Sequence, residues 1–158
     1  MCEITKEYLE RFPAGLRDCL QSEEEMKKFS ESVFFDYDDR KVYRAIHNSN
    51  KVVPNDFLGN ADTAKVYGTK VATRNLKKYI FHSVSVNDDI NQLIKSFRDF
   101  PSEYLKLNGI AEGIMSARYG PADFSDYTSH HNWYLYKDSQ EEVARQFKVV
   151  DIPNKEKD

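Results

Sequence analysis

Cysteine is almost missing from this chain, with 2 among 158 residues, Cys2 and Cys19. Neither sits in a Cys-x-x-Cys motif or a paired metal-ligand spacing, which excludes a disulfide-dense scaffold, a dithiol redox centre and a cysteine-based zinc site. The two thiols read as bystanders in a helical N-terminal segment. Glycine is scarce as well, 6 residues. These never gather into a phosphate-cradling loop or a Gly-x-Ser-x-Gly elbow, so a P-loop, a Rossmann turn and a serine-hydrolase nucleophile are disfavoured. No run approaches the ~18 consecutive apolar residues of a membrane span. The stretch Met1–Glu7 lacks the apolar core of a secretory signal, so a cytoplasmic protein with no membrane partner is expected. Nor does either charge dominate. The 23 basic and 26 acidic residues leave a net charge of −3, and no dense Lys/Arg stripe forms, which disfavours duplex nucleic acid as a partner.

What is plentiful is bulk. Hydrophobic residues make up 40% of the chain, with 10 Tyr and 10 Phe, enough to offset the entropy of ordering it. The length suits one core, since single domains commonly run ~100–200 residues. No internal repeat or linker appears. The expectation is a single domain over 1–158, with a helical N-terminal segment (1–32) and a frayed tail (152–158).

Periodicity gives the elements. Ile4, Tyr8 and Phe12 predict a short helix over 4–12, stopped by Pro13. Ser22-Glu23-Glu24-Glu25 reads as a capping box opening a second helix with Met26, Phe29 and Val33 on one side. Asn87-Asp88-Asp89 opens a helix over about 88–99, with Ile90, Leu93, Ile94 and Phe97 as its stripe. Ser139 opens another through Gln146, and 55–58 suits a helical turn before Gly59. Strands are predicted at 41–47, 79–86, 109–115, 131–136 and 147–150, with a short one around 70–72. The polar connection from 121 to 128 is long enough to be a mobile flap. Together these predict an α+β fold: a single twisted, mostly antiparallel sheet of four to six strands packed against two to four helices.

Three of these strands carry one misplaced residue each. A period of two sets His82 among Ile80, Val84 and Val86, Arg44 between Val42 and Ile46, and Glu112 between Ile110 and Ile114. A charge on an apolar face needs a partner, because burying it unpaired is costly. Arg44, His82 and Glu112, with His131 beside Trp133, are therefore the candidate catalytic group. The plain alternative is that the strands have one wet face, or that Arg44 and Glu112 form a structural ion pair. Ser83 and Ser85 fall opposite His82, so a Ser–His dyad within that strand is excluded. His130 and His131 likewise point to opposite faces of a strand; only in a loop do they suit zinc, together with His82 or Asp126.

The C-terminal third is aromatic, through Tyr119, Phe124, Tyr127, Trp133, Tyr134 and Tyr136. With only Arg118 and Lys137 interleaved, a ligand- or protein-binding face, or simply core packing, is favoured over RNA stacking. Ser83, Ser85, Tyr119 and Trp133 are the candidate ligand contacts.

The order Arg44, then Ser83-Val84-Ser85, then Glu112, each on a predicted strand, is similar to the arginine, serine-x-serine, glutamate order of some mono-ADP-ribosyltransferases. In that family the arginine and the serine motif shape the NAD site and the glutamate orients the ribose. The resemblance covers five residues and implies those roles for Arg44, Ser83 and Glu112.

Two functions follow. One is a binding module for a small molecule or protein, using the aromatic C-terminal face and no cofactor. The other is a small nucleotide-dependent enzyme, ADP-ribosyltransferase-like or toxin-like, with NAD and an Arg/His/Glu centre. The second requires those side chains on one sheet face within ~10 Å of each other, because catalytic groups must reach one reacting centre.

Overall fold

A computed structural model describes residues 4–68, 70–99, 107–124 and 128–153. Its centre is an antiparallel sheet of strands β1 (Arg40–Ile46), β2 (Val84–Asn87), β3 (Gly109–Met115), β4 (Ala122–Phe124), β5 (His130–Trp133) and β6 (Lys148–Val150), in the order β4-β5-β2-β1-β3-β6. This is the α+β architecture that the periodicity predicts. The long ladder is β1 with β3, running from Arg40 opposite Met115 to Ile46 opposite Gly109. By contrast, β1 and β2 pair at Tyr43 opposite Asn87 alone. The sheet is therefore loosely joined at its centre.

Each face has its own cover. Val42, Ile46, Val84, Val86, Ala111, Met115 and Trp133 line the first face, under Phe57 from a 3-10 turn (Pro54–Phe57) and Val143 and Ala144 from a helix (Gln140–Gln146). Phe147 presses so closely on Gly113 that a Cβ there would lie 2.3 Å from its ring. The second face is covered at two ends. Tyr43, Ile110 and Val150 pack against Leu93 and Ile94 of a helix over Ile90–Asp99. Tyr134 and Tyr136, just past β5, pack against the N-terminal helices α1 (Lys6–Leu9), α2 (Ala14–Cys19) and α3 (Glu23–Ser32). Between β1 and β2 the chain adds α4 (Asn60–Val66) and α5 (Thr73–Leu76), bringing the α-helices among the described residues to seven.

Local chemistry accounts for several departures from the predicted elements. Pro13 does end the first helix, yet it also serves as the N-cap of α2, since its fixed φ suits a helix start and it needs no donor there. Ser22 caps α3 by accepting from the Glu25 amide at 3.3 Å. The Glu25 carboxylate instead accepts from the Tyr79 amide at 2.8 Å, so the reciprocal half of the capping box is spent on a tertiary contact. Asp89 caps the 90–99 helix, accepting from the amides of Asn91 and Gln92.

The predicted strand over 79–86 is shorter than its alternation suggests. Tyr79–His82 is a 3-10 turn and the strand begins at Val84. Ser83 explains the break: its amide and its hydroxyl both donate to the Ile80 carbonyl, a local bond that competes with ladder pairing. Tyr79 is buried and Ile80 exposed as a result, the reverse of the facing that puts His82 among apolar neighbours. No strand forms at 70–72. The connection predicted as a flap contains β4, while its residues 125–127, with Asp126 and Tyr127, lie outside the described residues.

Candidate functional site

Arg44 points to the first face and is 1% exposed. Its Nε donates to the Asp56 carbonyl at 2.9 Å and its Nη1 to the Ser85 carbonyl at 2.9 Å. Ser85 lies on β2, where that strand has left β1, so the guanidinium bridges the open seam of the sheet. Asp56 is fully buried and ties the same loop down, accepting from the His47 and Val53 amides at 2.9 Å each. Arg44 is thus a structural fork that holds the backbone of the serine-x-serine stretch.

Glu112 does not join it. Register pairs Glu112 with Tyr43 and Arg44 with Ala111, so the two side chains project from opposite faces. Glu112 instead faces Lys41 at 3.7 Å, with both side chains well exposed. His82 is elsewhere again, on the 3-10 turn, its Nε2 donating to the Leu76 carbonyl at 2.7 Å. The expected Arg/His/Glu centre is therefore dispersed, because antiparallel register places Arg44 and Glu112 one residue out of phase.

His131, paired with Val86 on β2, shares the first face with Arg44, two strands away. It is buried, with Nε2 against the Asp88 carboxylate at 2.8 Å and its ring edge-on to Phe124. Trp133 and Tyr119 are also buried in the first-face core, and Tyr134 and Tyr136 in the other. The aromatic C-terminal stretch is consumed by packing, so it offers no open binding face among the described residues.

What the second face does leave open is polar. Between the N-terminal helices and the 90–99 helix, Asp123, Asn132 and Ser85 are consecutive cross-strand partners on β4, β5 and β2. His130 opposite Asn87 forms the next row on that face. Neighbouring strands are ~4.8 Å apart, so the first row spans roughly 10 Å. Asn60, in the first turn of α4, reaches Ser85 Oγ at 3.4 Å. Ser83 is buried beneath the row, with its Oγ 2.8 Å from the Ile80 carbonyl and 3.1 Å from the Asn132 side-chain amide.

The Ser83 hydroxyl donates to both, its one proton shared between the nearer Ile80 carbonyl and Asn132 Oδ1. It is therefore the C=O end of the Asn132 amide that faces Ser83, as the acceptor of that bond. Burial raises the Asp123 carboxyl above the ordinary aspartate range, and the nearby His131 opposes that shift only in part. A carboxyl beside an amide, the Ser85 hydroxyl and a second amide makes a mixed donor and acceptor surface, with the fully buried Ser83 hydroxyl supporting it from below. It can grip vicinal hydroxyls, each of which donates and accepts.

Of the residues predicted from sequence, Ser85 belongs to this strip, Ser83 lies buried beneath it and Arg44 supports it from behind. Asn132, Asp123, Asn60 and His130 were not predicted as ligand contacts; only the alternation through 131–136 could have flagged Asn132 as facing away from Trp133. Comparison with protein-family models, curated proteins and solved structures finds no match for the chain.

Proposed function

We propose that this chain is a binding module for a ribose-bearing nucleotide of the NAD type, held at the Ser85 and Asn132 strip, which the buried Ser83 supports, without being turned over. The observation that carries the reading is the linked arrangement of Arg44 on the Ser85 carbonyl and Ser83 on the Asn132 amide, both at hydrogen-bond distance. It keeps the arginine and serine-x-serine half of the resemblance to mono-ADP-ribosyltransferases, in which those residues shape the NAD site. The glutamate half is missing from the strip. Glu112 sits across the sheet with Lys41, and the side chain that Ser83 reaches is a neutral amide. An amide hydrogen-bonds ribose hydroxyls as a carboxylate does, but it neither carries the negative charge that stabilises a developing cation nor accepts a proton in the physiological range.

The test is thermal unfolding of the full chain with NAD, ADP-ribose, adenosine and inorganic phosphate, alongside an assay for released nicotinamide. Ligand at ten times its Kd stabilises by about 1.4 kcal/mol, which shifts the Tm of a domain this size by about 3–6 °C. NAD and ADP-ribose are expected to give such a shift, Asn132→Ala to abolish it, and nicotinamide release to stay at background. A chain indifferent to every nucleotide overturns the binding reading, and enzyme-dependent nicotinamide release overturns the claim that it does not turn NAD over.

A further inference from the structure

A second concave site lies away from the strip, where α2, α4 and the Tyr79–His82 turn meet. It is a cleft of about 480 Å³, within the ~300–1,000 Å³ typical of small-molecule pockets. Ala61, Val71 and Leu76 supply apolar wall, and its polar groups are Asp18 from α2, Asp62 and Lys65 from α4, and His82.

The protonation pattern of this wall can be read from its bonds. The Leu76 carbonyl can only accept, so the His82 Nε2 facing it at 2.7 Å carries a proton. In the neutral ring Nδ1 is then an acceptor. The Nδ1–Cε1 edge lies against Gly15, where a Cβ would come within 2.9 Å of Nδ1, so this edge is bare because residue 15 has no side chain. Gly59 packs on the backbone of the same residue, where a Cβ would meet the His82 carbonyl oxygen at 2.4 Å. The bond to the Leu76 carbonyl and the packing on Gly15 set the orientation of the imidazole at the cleft wall.

Among the described residues neither Asp18 nor Asp62 has an ion pair or a side-chain hydrogen bond, and Lys65 pairs with neither. The cleft therefore presents two unpaired carboxylates and an imidazole acceptor against one rim ammonium. Anions are repelled by that balance. A bare metal ion does not suit it either, since no three His, Cys, Asp or Glu side chains among the described residues are grouped closely enough to hold one. Acceptors set apart around an apolar wall match a larger cation whose own donors span them, on a stem that covers Val71 and Leu76.

We propose that this cleft binds a small aliphatic amine, with its ammonium groups on Asp18 and Asp62 and its methylene stem on the apolar wall. The site is independent of the nucleotide strip, and α4 contributes to both through different residues, Asn60 to one and Asp62 to the other.

The test titrates the full chain with 1,5-diaminopentane and, separately, with 1,5-pentanediol, which keeps the stem and loses the charge, while amide NMR shifts are followed. Saturable shifts confined to α2, α4 and residues 71–82 are expected for the diamine and none for the diol. The combined Asp18→Asn and Asp62→Asn variant is expected to weaken the diamine by about tenfold or more, as loss of charge-assisted bonds implies. Equal response to diol and diamine, shifts that map elsewhere, or undiminished binding by the double aspartate variant overturns the proposal. Because the readout uses no nucleotide, its failure is distinguishable from failure of the strip.

Discussion

Removing Arg44 and removing Glu112 should have unrelated consequences, although the two alternate with apolar residues in the same way. Arg44→Ala leaves the Asp56 and Ser85 carbonyls without the donors that now reach them at 2.9 Å. Each buried group stripped of its partner costs about 1–3 kcal/mol. Relief of the desolvated guanidinium returns part of this, and loss of its packed stem adds to it, so the net cost is about 2–4 kcal/mol. Arg44→Lys should recover only part, because one ammonium cannot reproduce the planar fork. Glu112→Ala removes a 3.7 Å pair whose side chains are 60% and 37% exposed, worth at most about 0.5 kcal/mol. Urea unfolding followed by the fluorescence of Trp133, the only tryptophan and fully buried, reads both. With an m-value of about 2 kcal/mol/M, Arg44→Ala should lower the midpoint by about 1–2 M and Glu112→Ala by at most about a quarter of a molar. Side chains on opposite faces should add within about 0.5 kcal/mol in the double variant. A coupling above about 1 kcal/mol would refute the facing argument and restore an arginine–glutamate centre.

Three further outcomes follow from particular contacts. Gly113→Ala drives a methyl into the Phe147 ring and should cost about 1–3 kcal/mol in the same unfolding assay, as overpacking of a filled core does. Asp123→Asn should raise the Tm at neutral pH, because burial holds the folded carboxyl above its unfolded affinity for protons. That penalty is fully present above the folded pKa and disappears as pH falls through it toward the unfolded value, so the gain from Asn should shrink on acidification; a gain that grows there contradicts the assignment. Ser22→Ala removes the α3 cap and should cost about 0.5–2 kcal/mol by chemical denaturation.

Element type was legible in this sequence wherever one physical cause set the pattern. The stripe of Ile90, Leu93, Ile94 and Phe97 reflects a single buried helix side, and the helix runs over Ile90–Asp99. The alternation through 109–115 marks a strand, and β3 occupies Gly109–Met115 with Ala111 and Met115 in the first-face core and Ile110 under the 90–99 helix. Where two causes compete, the pattern misleads. Tyr79–His82 alternates as a strand does, yet the Ser83 hydroxyl draws the Ile80 carbonyl into a tight turn, and the facing of His82 is lost with it.

The site was hidden for a different reason. Alternation assigns faces within a strand and says nothing of the phase between strands, so Arg44 and Glu112 each read correctly against their own neighbours and still end on opposite sides once Tyr43 pairs with Glu112. The residues that do meet are neutral or small: Ser85, Asn132 and Asn60 look in sequence like any solvated strand edge or loop. Their setting is nonetheless written in β5 and its extension. Along one face of that stretch Asn132 gives way to Tyr134 and Tyr136, and both tyrosines are buried under the N-terminal helices. The change from amide to aromatic marks where the helical cover begins, which leaves the polar row half-buried at the edge of that cover with the sheet behind it.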